Sequence, residues 1–152
     1  MARGERGQSL VEMALGFTVL IVLVSGLLDL GRAYFTFVAL EDGAGEAALY
    51  LAINPTCRTD ADGTGECANP NNADYRARHS GGALVDWTDT TRARIFIDPV
   101  GGATYPYELG DTIEVRIEYD FELLMPFIIE IAGGSSTLTL TAHATQNIIG
   151  SE

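Results

Sequence analysis

A long apolar run near the N-terminus, Leu10 to Leu30, constrains the fold more than any other part of the sequence. No charged residue occurs between Met13 and Leu28, where Thr18 and Ser25 are the polar interruptions. A helix of about 21 residues is roughly 31 Å long, which matches the hydrocarbon core of a bilayer. A core helix of a soluble protein normally shows a polar stripe. The run therefore predicts a membrane-spanning helix.

Glu12 lies two residues inside this run. A carboxylate near mid-membrane costs on the order of 2.5–3.5 kcal/mol, and less near the membrane edge. Its carboxylate could simply extend into the headgroup layer. Alternatively, the chain is cut after Gly7, and the new α-amine of Gln8 pairs with the Glu12 carboxylate of its own chain or of a neighbouring subunit. Such a pair would remove the isolated buried charge.

The sequence of this segment resembles the class III signal peptides of type IV pilins, and in particular the TadE-like pseudopilins of tight-adherence pilus systems. The resemblance rests on the opening Arg6-Gly7-Gln8-Ser9-Leu10-Val11-Glu12 and on the later Asp29-Leu30-Gly31-Arg32-Ala33. In that family a basic residue, Gly, Gln, a small residue, two apolar residues and Glu are followed by an Asp-x-Gly-Arg-Ala segment. About the first 50 residues resemble the family closely and the C-terminal strands loosely.

This resemblance implies a non-catalytic pseudopilin that joins or primes a filament used for adhesion or secretion. It implies a prepilin peptidase that cuts between Gly7 and Gln8, other pilin or pseudopilin subunits and a membrane assembly platform as partners, and a role for Glu12 in assembly. The alternative is a single-span surface protein whose small β domain binds a partner. A plain anchor needs neither Gly7 nor Glu12, so these two residues distinguish the two functions.

The charge distribution predicts the orientation in the membrane. The chain of 152 residues has 21 acidic residues against nine arginines and no lysine, for a net charge of −12. Such a chain is repelled by nucleic acids and by anionic membrane surfaces. Because Arg3 and Arg6 precede the span and the acidic part follows it, the N-terminus is expected in the cytoplasm and the C-terminal domain outside. The apolar run is too long for a secretory signal peptide.

Asp29 and Arg32 are three residues apart where the span ends, so they can pair on one helix. They are either ordinary interfacial charges or part of a subunit contact. The helix is expected to continue, with one apolar face formed by Phe37, Leu40, Ala44, Ala47 and Leu51 and a polar face formed by Glu41, Asp42 and Glu46. Gly43 and Gly45 predict a bend or a softening. Asn54-Pro55 ends the element.

The region from Cys57 to Arg78 is interpreted as a loop. Its two cysteines, Cys57 and Cys67, are the only ones in the chain and would form a disulfide outside the cytoplasm. The acids between them are a solvated loop or a weak calcium site, with Asp60, Asp62 and Glu66 as candidate ligands. The spacing does not match an EF-hand.

Three segments further on alternate with a period of two and predict β-strands. The first begins at Arg92 and ends at Pro99-Val-Gly-Gly, the second is Thr112 to Glu122, and the third follows Gly133-Gly-Ser-Ser. The second has one apolar and one charged face, which favours antiparallel pairing with a wet side. The apolar segment Leu123 to Ile131 is expected to pack in the core or to contact a membrane or a subunit.

The overall prediction is an α+β, pilin-like fold. Its parts are a leader (1–7), a transmembrane and amphipathic helix (8–54), a disulfide-bearing loop region (55–91) and an antiparallel sheet (92–149). The sequence has no nucleophile motif, phosphate loop or zinc motif, so we expect no enzyme activity and no cofactor.

Overall fold

The rest of the molecule packs against one long helix, α1 (Gly4–Ile53). The computed structural model describes residues 4–62, 65–101, 105, 107–124, 134 and 136–150, with the side chains of all of these except residues 4–6 and 83. With its 50 residues α1 is about 75 Å long. It ends before Pro55, since the residue before a proline is disfavoured in a helix. Among the described residues, α1 is the helix that is long and apolar enough to cross a membrane, by length and composition.

One face of α1 is buried in a regular pattern. The buried residues recur at intervals of three and four and are mostly small: Ser25, Asp29, Ala33, Thr36, Leu40, Ala44, Ala47 and Leu51. The C-terminal part of this stripe agrees with the predicted apolar face. Its N-terminal part reaches Ser25 and Asp29, within the run that was predicted to lie in the membrane. Between Leu10 and Val24 the large apolar side chains are exposed.

The sheet has three antiparallel strands in the order β1-β2-β3: β1 (Ala93–Val100), β2 (Thr112–Glu122) and β3 (Thr137–Asn147). The α+β prediction is confirmed. On β2 the apolar face is buried as predicted, at Ile113, Val115, Ile117, Tyr119 and Phe121. β1 continues past the predicted end through Pro99, which pairs with Ile113. An edge strand tolerates proline because its outward N–H is not needed by a neighbour.

The region interpreted as a loop contains a helix, α2 (Ala73–Ser80). The loop interpretation was therefore wrong for residues 73–78. Asn72 caps α2 by accepting the N–H of Tyr75 at 2.7 Å, and Ala73 and Ala77 are fully buried in the core. A short 3-10 helix, Gly82–Leu84, follows α2.

Gly43 lets α2 approach α1 closely. A Cβ added at Gly43 would lie 2.7 Å from the carbonyl oxygen of Ala77, whereas a Cβ at Gly45 would meet no atom within 4 Å. The helix runs through both glycines without interruption. Gly43 is therefore a packing residue, because α2 lies too close to α1 to leave room for a side chain at this position.

The last described residues of the chain contact the C-terminal end of α1. The N–H groups of Ile149 and Gly150 both donate to the carbonyl oxygen of Ala52, each at 2.8 Å. Residues 125–131 of the predicted apolar segment lie outside the described residues, as do Gly133 and Ser135 of the predicted glycine-rich turn. Leu123, which begins the apolar segment, packs against the core.

Candidate functional site

The first candidate site is the start of the apolar span. The Gln8 side-chain amide donates to a carboxylate oxygen of Glu12 at 3.2 Å, one helical turn away, and both side chains are exposed. A Cβ added at Gly7 would meet no atom within 4 Å. Gln8 and Glu12 thus lie on the same face of α1, and Glu12 is accessible to a neighbouring molecule.

The second candidate site is the buried carboxylate of Asp29, only 8% exposed. Its two oxygens accept the backbone N–H of Leu124 at 2.9 and 3.1 Å. Arg32 is the other partner, with its guanidinium 3.4 Å from the same carboxylate. The structure therefore brings Asp29 and Arg32 together, as their spacing predicts. It adds a function for Asp29 within the chain, which is to hold the segment after β2 against α1.

Arg32 points toward the sheet, and its guanidinium carbon lies 5.0 Å from the ring centroid of Phe121. A second arginine, Arg92, lies 5.7 Å from the ring of Tyr119 in the same way. A cavity of about 260 Å³ lies between these groups, with Thr36 as a further lining residue. Arg92, Phe121 and Thr36 were not predicted as site residues from the sequence. Thr36 alone had a signal, because it continues the helical spacing from Asp29 and Ala33.

The disulfide region is tightly organised. Cys57 and Cys67 are bonded, with their Cα atoms 5.0 Å apart. The side chain of Asn72, only 1% exposed, donates to the carbonyl oxygen of Cys67 at 3.0 Å and to the side chain of Asn69 at 2.7 Å. The disulfide loop is thus connected to the N-terminal cap of α2.

The candidate ligands of the weak calcium site, Asp60, Asp62 and Glu66, do not share one environment. Asp62 accepts hydrogen bonds from the N–H and the hydroxyl of Thr59 at 2.7 and 3.0 Å, and it lies 3.7 Å from Arg58. Asp60 and Glu66 are exposed. Among the residues that the structure describes, no three His, Cys, Asp or Glu side chains are grouped to hold a metal ion.

The wet face of the sheet is covered by cross-strand ion pairs. Arg94 of β1 reaches Asp120 at 3.1 Å and Glu118 at 3.5 Å on β2. The hydrogen bond from Arg94, followed by one from Thr139, lowers the pKa of Asp120 below its ordinary value. Burial raises the pKa of Tyr107, and the Arg58 guanidinium opposes this effect. These interactions stabilise the sheet and give no acid–base pair in a common cleft.

One part of the chain matches a known protein family. Residues 7–49 match the family described as TadE-like protein. The predicted resemblance is confirmed over these residues, which include Gly7, Gln8, Glu12, Asp29 and Arg32. No curated protein and no solved structure matches the chain.

Proposed function

From the TadE-like match over residues 7–49, we propose that this protein is a pseudopilin, a non-catalytic membrane-inserted subunit of a tight-adherence pilus. It is cut between Gly7 and Gln8 by a prepilin peptidase. The N-terminus is cytoplasmic and the sheet domain lies outside. It joins or primes a filament together with other pilin or pseudopilin subunits and the membrane assembly platform.

The observation that carries this proposal is the position of Glu12. It is an exposed carboxylate at the head of an apolar helix whose large side chains are themselves exposed. The side chain of Gln8 already reaches it. After cleavage the α-amine belongs to this same residue, so a cation forms one turn from Glu12. In a low-dielectric setting an unpaired carboxylate is costly, and pairing with an amine in the assembled filament removes that cost.

Replacing Glu12 tests the assembly role. Glu12→Leu removes the charge and should leave membrane insertion unchanged or slightly improved. Filament incorporation should fall at least tenfold, because breaking a buried pair costs about 3–5 kcal/mol. Glu41→Leu is the matched control, since Glu41 lies exposed further along α1. Subunit is counted in sheared filaments and in the membrane fraction. Normal incorporation of the Glu12 variant would favour the single-span surface protein instead.

Processing is tested separately by mass. The mature protein should begin at Gln8 when a prepilin peptidase is expressed. Gly7→Val should leave the precursor intact, because the peptidase requires a small residue before the cut in this proposal. Finding an uncut N-terminus in the wild-type protein under those conditions would contradict the pilin function.

A further inference from the structure

The cavity beside Arg32 has an unusual lining for so acidic a protein. Its floor is formed by Tyr119 and Phe121, alternate residues on the buried face of β2, and its walls include Arg32 and Arg92. Leu84 and Glu122 complete the lining. Two of the nine arginines of a chain with net charge −12 thus face one small space.

The guanidinium groups of Arg32 and Arg92 both have N–H groups that can donate to a ligand. Among the described residues, Arg32 donates only to Asp29, at a long 3.4 Å, and Asp29 is already hydrogen-bonded to the N–H of Leu124. Arg92 donates to the carbonyl oxygen of Asp120 at 3.2 Å and lies 3.6 Å from Glu122. Each guanidinium has several N–H groups in a planar fork, which suits the oxygens of a phosphate.

Glu122 does not close the cavity to anions. Its side chain is 65% exposed, and its ion pair with Arg92 is 3.6 Å long. Exposed ion pairs of this kind contribute little free energy, so Glu122 can turn into solvent when an anion enters. The aromatic floor holds the arginines in place by cation–π contacts and leaves the edges of the guanidinium groups for a ligand.

In the membrane orientation of the proposed function, the cavity lies at the level of lipid headgroups. The exposed apolar surface of α1 runs from Leu10 to Leu30, about the thickness of the bilayer core. Arg32 follows directly, and next to it Tyr34 and Phe35 are each 63% exposed. Exposed aromatic residues at the end of a span are typical of the membrane–water interface.

We propose that this cavity binds the phosphate of a membrane phospholipid, with Arg32 and Arg92 as the anion-binding residues. The headgroup phosphate lies between the two guanidinium groups, and the acyl chains run along the apolar surface of α1. The inference rests on the membrane insertion included in the proposed function and is independent of the filament role.

Native mass spectrometry of the full chain in a non-ionic detergent tests this site. The protein should retain one added phosphatidylglycerol molecule and should not retain diacylglycerol, which has the same tails and no phosphate. Arg32→Gln with Arg92→Gln should weaken retention at least tenfold, because each substitution removes a charge-assisted hydrogen-bonding group. The double lysine variant, R32K with R92K, keeps the charge and should retain the lipid more weakly than wild type.

Arg94→Gln is the matched control, because Arg94 bonds to Asp120 and Glu118 on the wet face of the sheet and does not line the cavity. Circular dichroism checks that each variant is folded. Equal retention of diacylglycerol, or unchanged retention by the double glutamine variant, would overturn the inference. Displacement of the lipid by millimolar glycerol 3-phosphate would identify a site for free phosphate compounds and overturn the lipid assignment. Absence of the wild-type chain from the membrane fraction would overturn the proposed insertion itself, which separates the two failures.

Discussion

The carboxylate of Asp29 accepts the backbone N–H of Leu124, which lies 95 positions further along the chain, at 2.9 and 3.1 Å. This contact fastens the end of β2 to α1 at the end of the apolar run. A charged acceptor makes a stronger hydrogen bond than a neutral one. Asp29 is also largely buried, so its carboxylate needs the partners that Leu124 and Arg32 provide.

Removing this carboxylate should loosen the contact. Asp29→Ala leaves the N–H of Leu124 without its acceptor, which costs about 1–3 kcal/mol. The Leu124 amide should therefore exchange its hydrogen about ten to a hundred times faster. Asp42→Ala, on the exposed face of the same helix, should leave this exchange unchanged. Equal exchange in wild type and D29A would mean that Asp29 does not hold the segment.

Two glycines two positions apart on α1 should respond in opposite directions to the same substitution. Gly43→Ala places a Cβ 2.7 Å from the carbonyl oxygen of Ala77, so α2 must move and the free energy of unfolding should fall by about 1–3 kcal/mol. Gly45→Ala meets open space and should stabilise the helix by up to about 1 kcal/mol. Thermal unfolding in detergent measures both variants. A stabilising G43A would show that α1 and α2 are not closely packed in solution.

The Cys57–Cys67 bond should stabilise the domain that follows α1. It closes a loop with a sequence separation of 10, and the chain-entropy argument gives about 2–3 kcal/mol for a loop of this size. Reduction should lower the unfolding midpoint of wild type and should not affect C57S with C67S. In protein taken from the native envelope, both cysteines should resist alkylation until they are reduced. Free thiols there would place the domain in the cytoplasm.

Acid should weaken the wet face of the sheet through Asp120. Its pKa in the folded protein is lowered from the ordinary 3.8, first by the hydrogen bond from Arg94. A lowered pKa gives stability that is present above 3.8 and is lost as the pH falls through the folded value. The stability difference between wild type and Asp120→Asn should thus shrink as the pH is lowered from about 6 to about 3. The effect should be small, because the site is exposed.

Glu114→Gln is the control for this experiment. Glu114 lies on the same strand and makes no ion pair with any residue that the structure describes. Its substitution should change stability little anywhere in this pH range. A constant difference between wild type and D120N down to about pH 3 would show that the Arg94 contact does not protect the carboxylate.

The strand β2 could be predicted to its ends because its pattern is local. Alternating apolar and charged side chains fix both its period and its buried face, and the structure has the same bounds. Helix α2 has no such pattern. Its eight residues are mostly polar, and short helices gain their stability from tertiary contacts. Here those contacts are the burial of Ala73 and Ala77, which only the close approach at Gly43 allows.

The candidate site was predictable only in part, for a related reason. Asp29 and Arg32 stand out as charges at the end of an apolar run. Their partners do not, because the N–H of Leu124 is a backbone group and the ring of Phe121 is one of several apolar residues on its strand. The burial of Ser25 was equally hidden, since a run that is apolar on all sides has no contrast from which a buried face can be recognised.

The course of α1 determines how the molecule responds to mechanical load. The sheet is attached to α1 by the contact of Asp29 near the middle of the helix, by the buried face of the helix, and at the C-terminal end of the helix, where the N–H groups of Ile149 and Gly150 donate to Ala52. Tension applied along α1 would be carried by one continuous series of helical hydrogen bonds and would bypass the sheet. Tension applied through the sheet would have to break these contacts and separate the shared core. A pull along the helix should therefore leave β1, β2 and β3 folded.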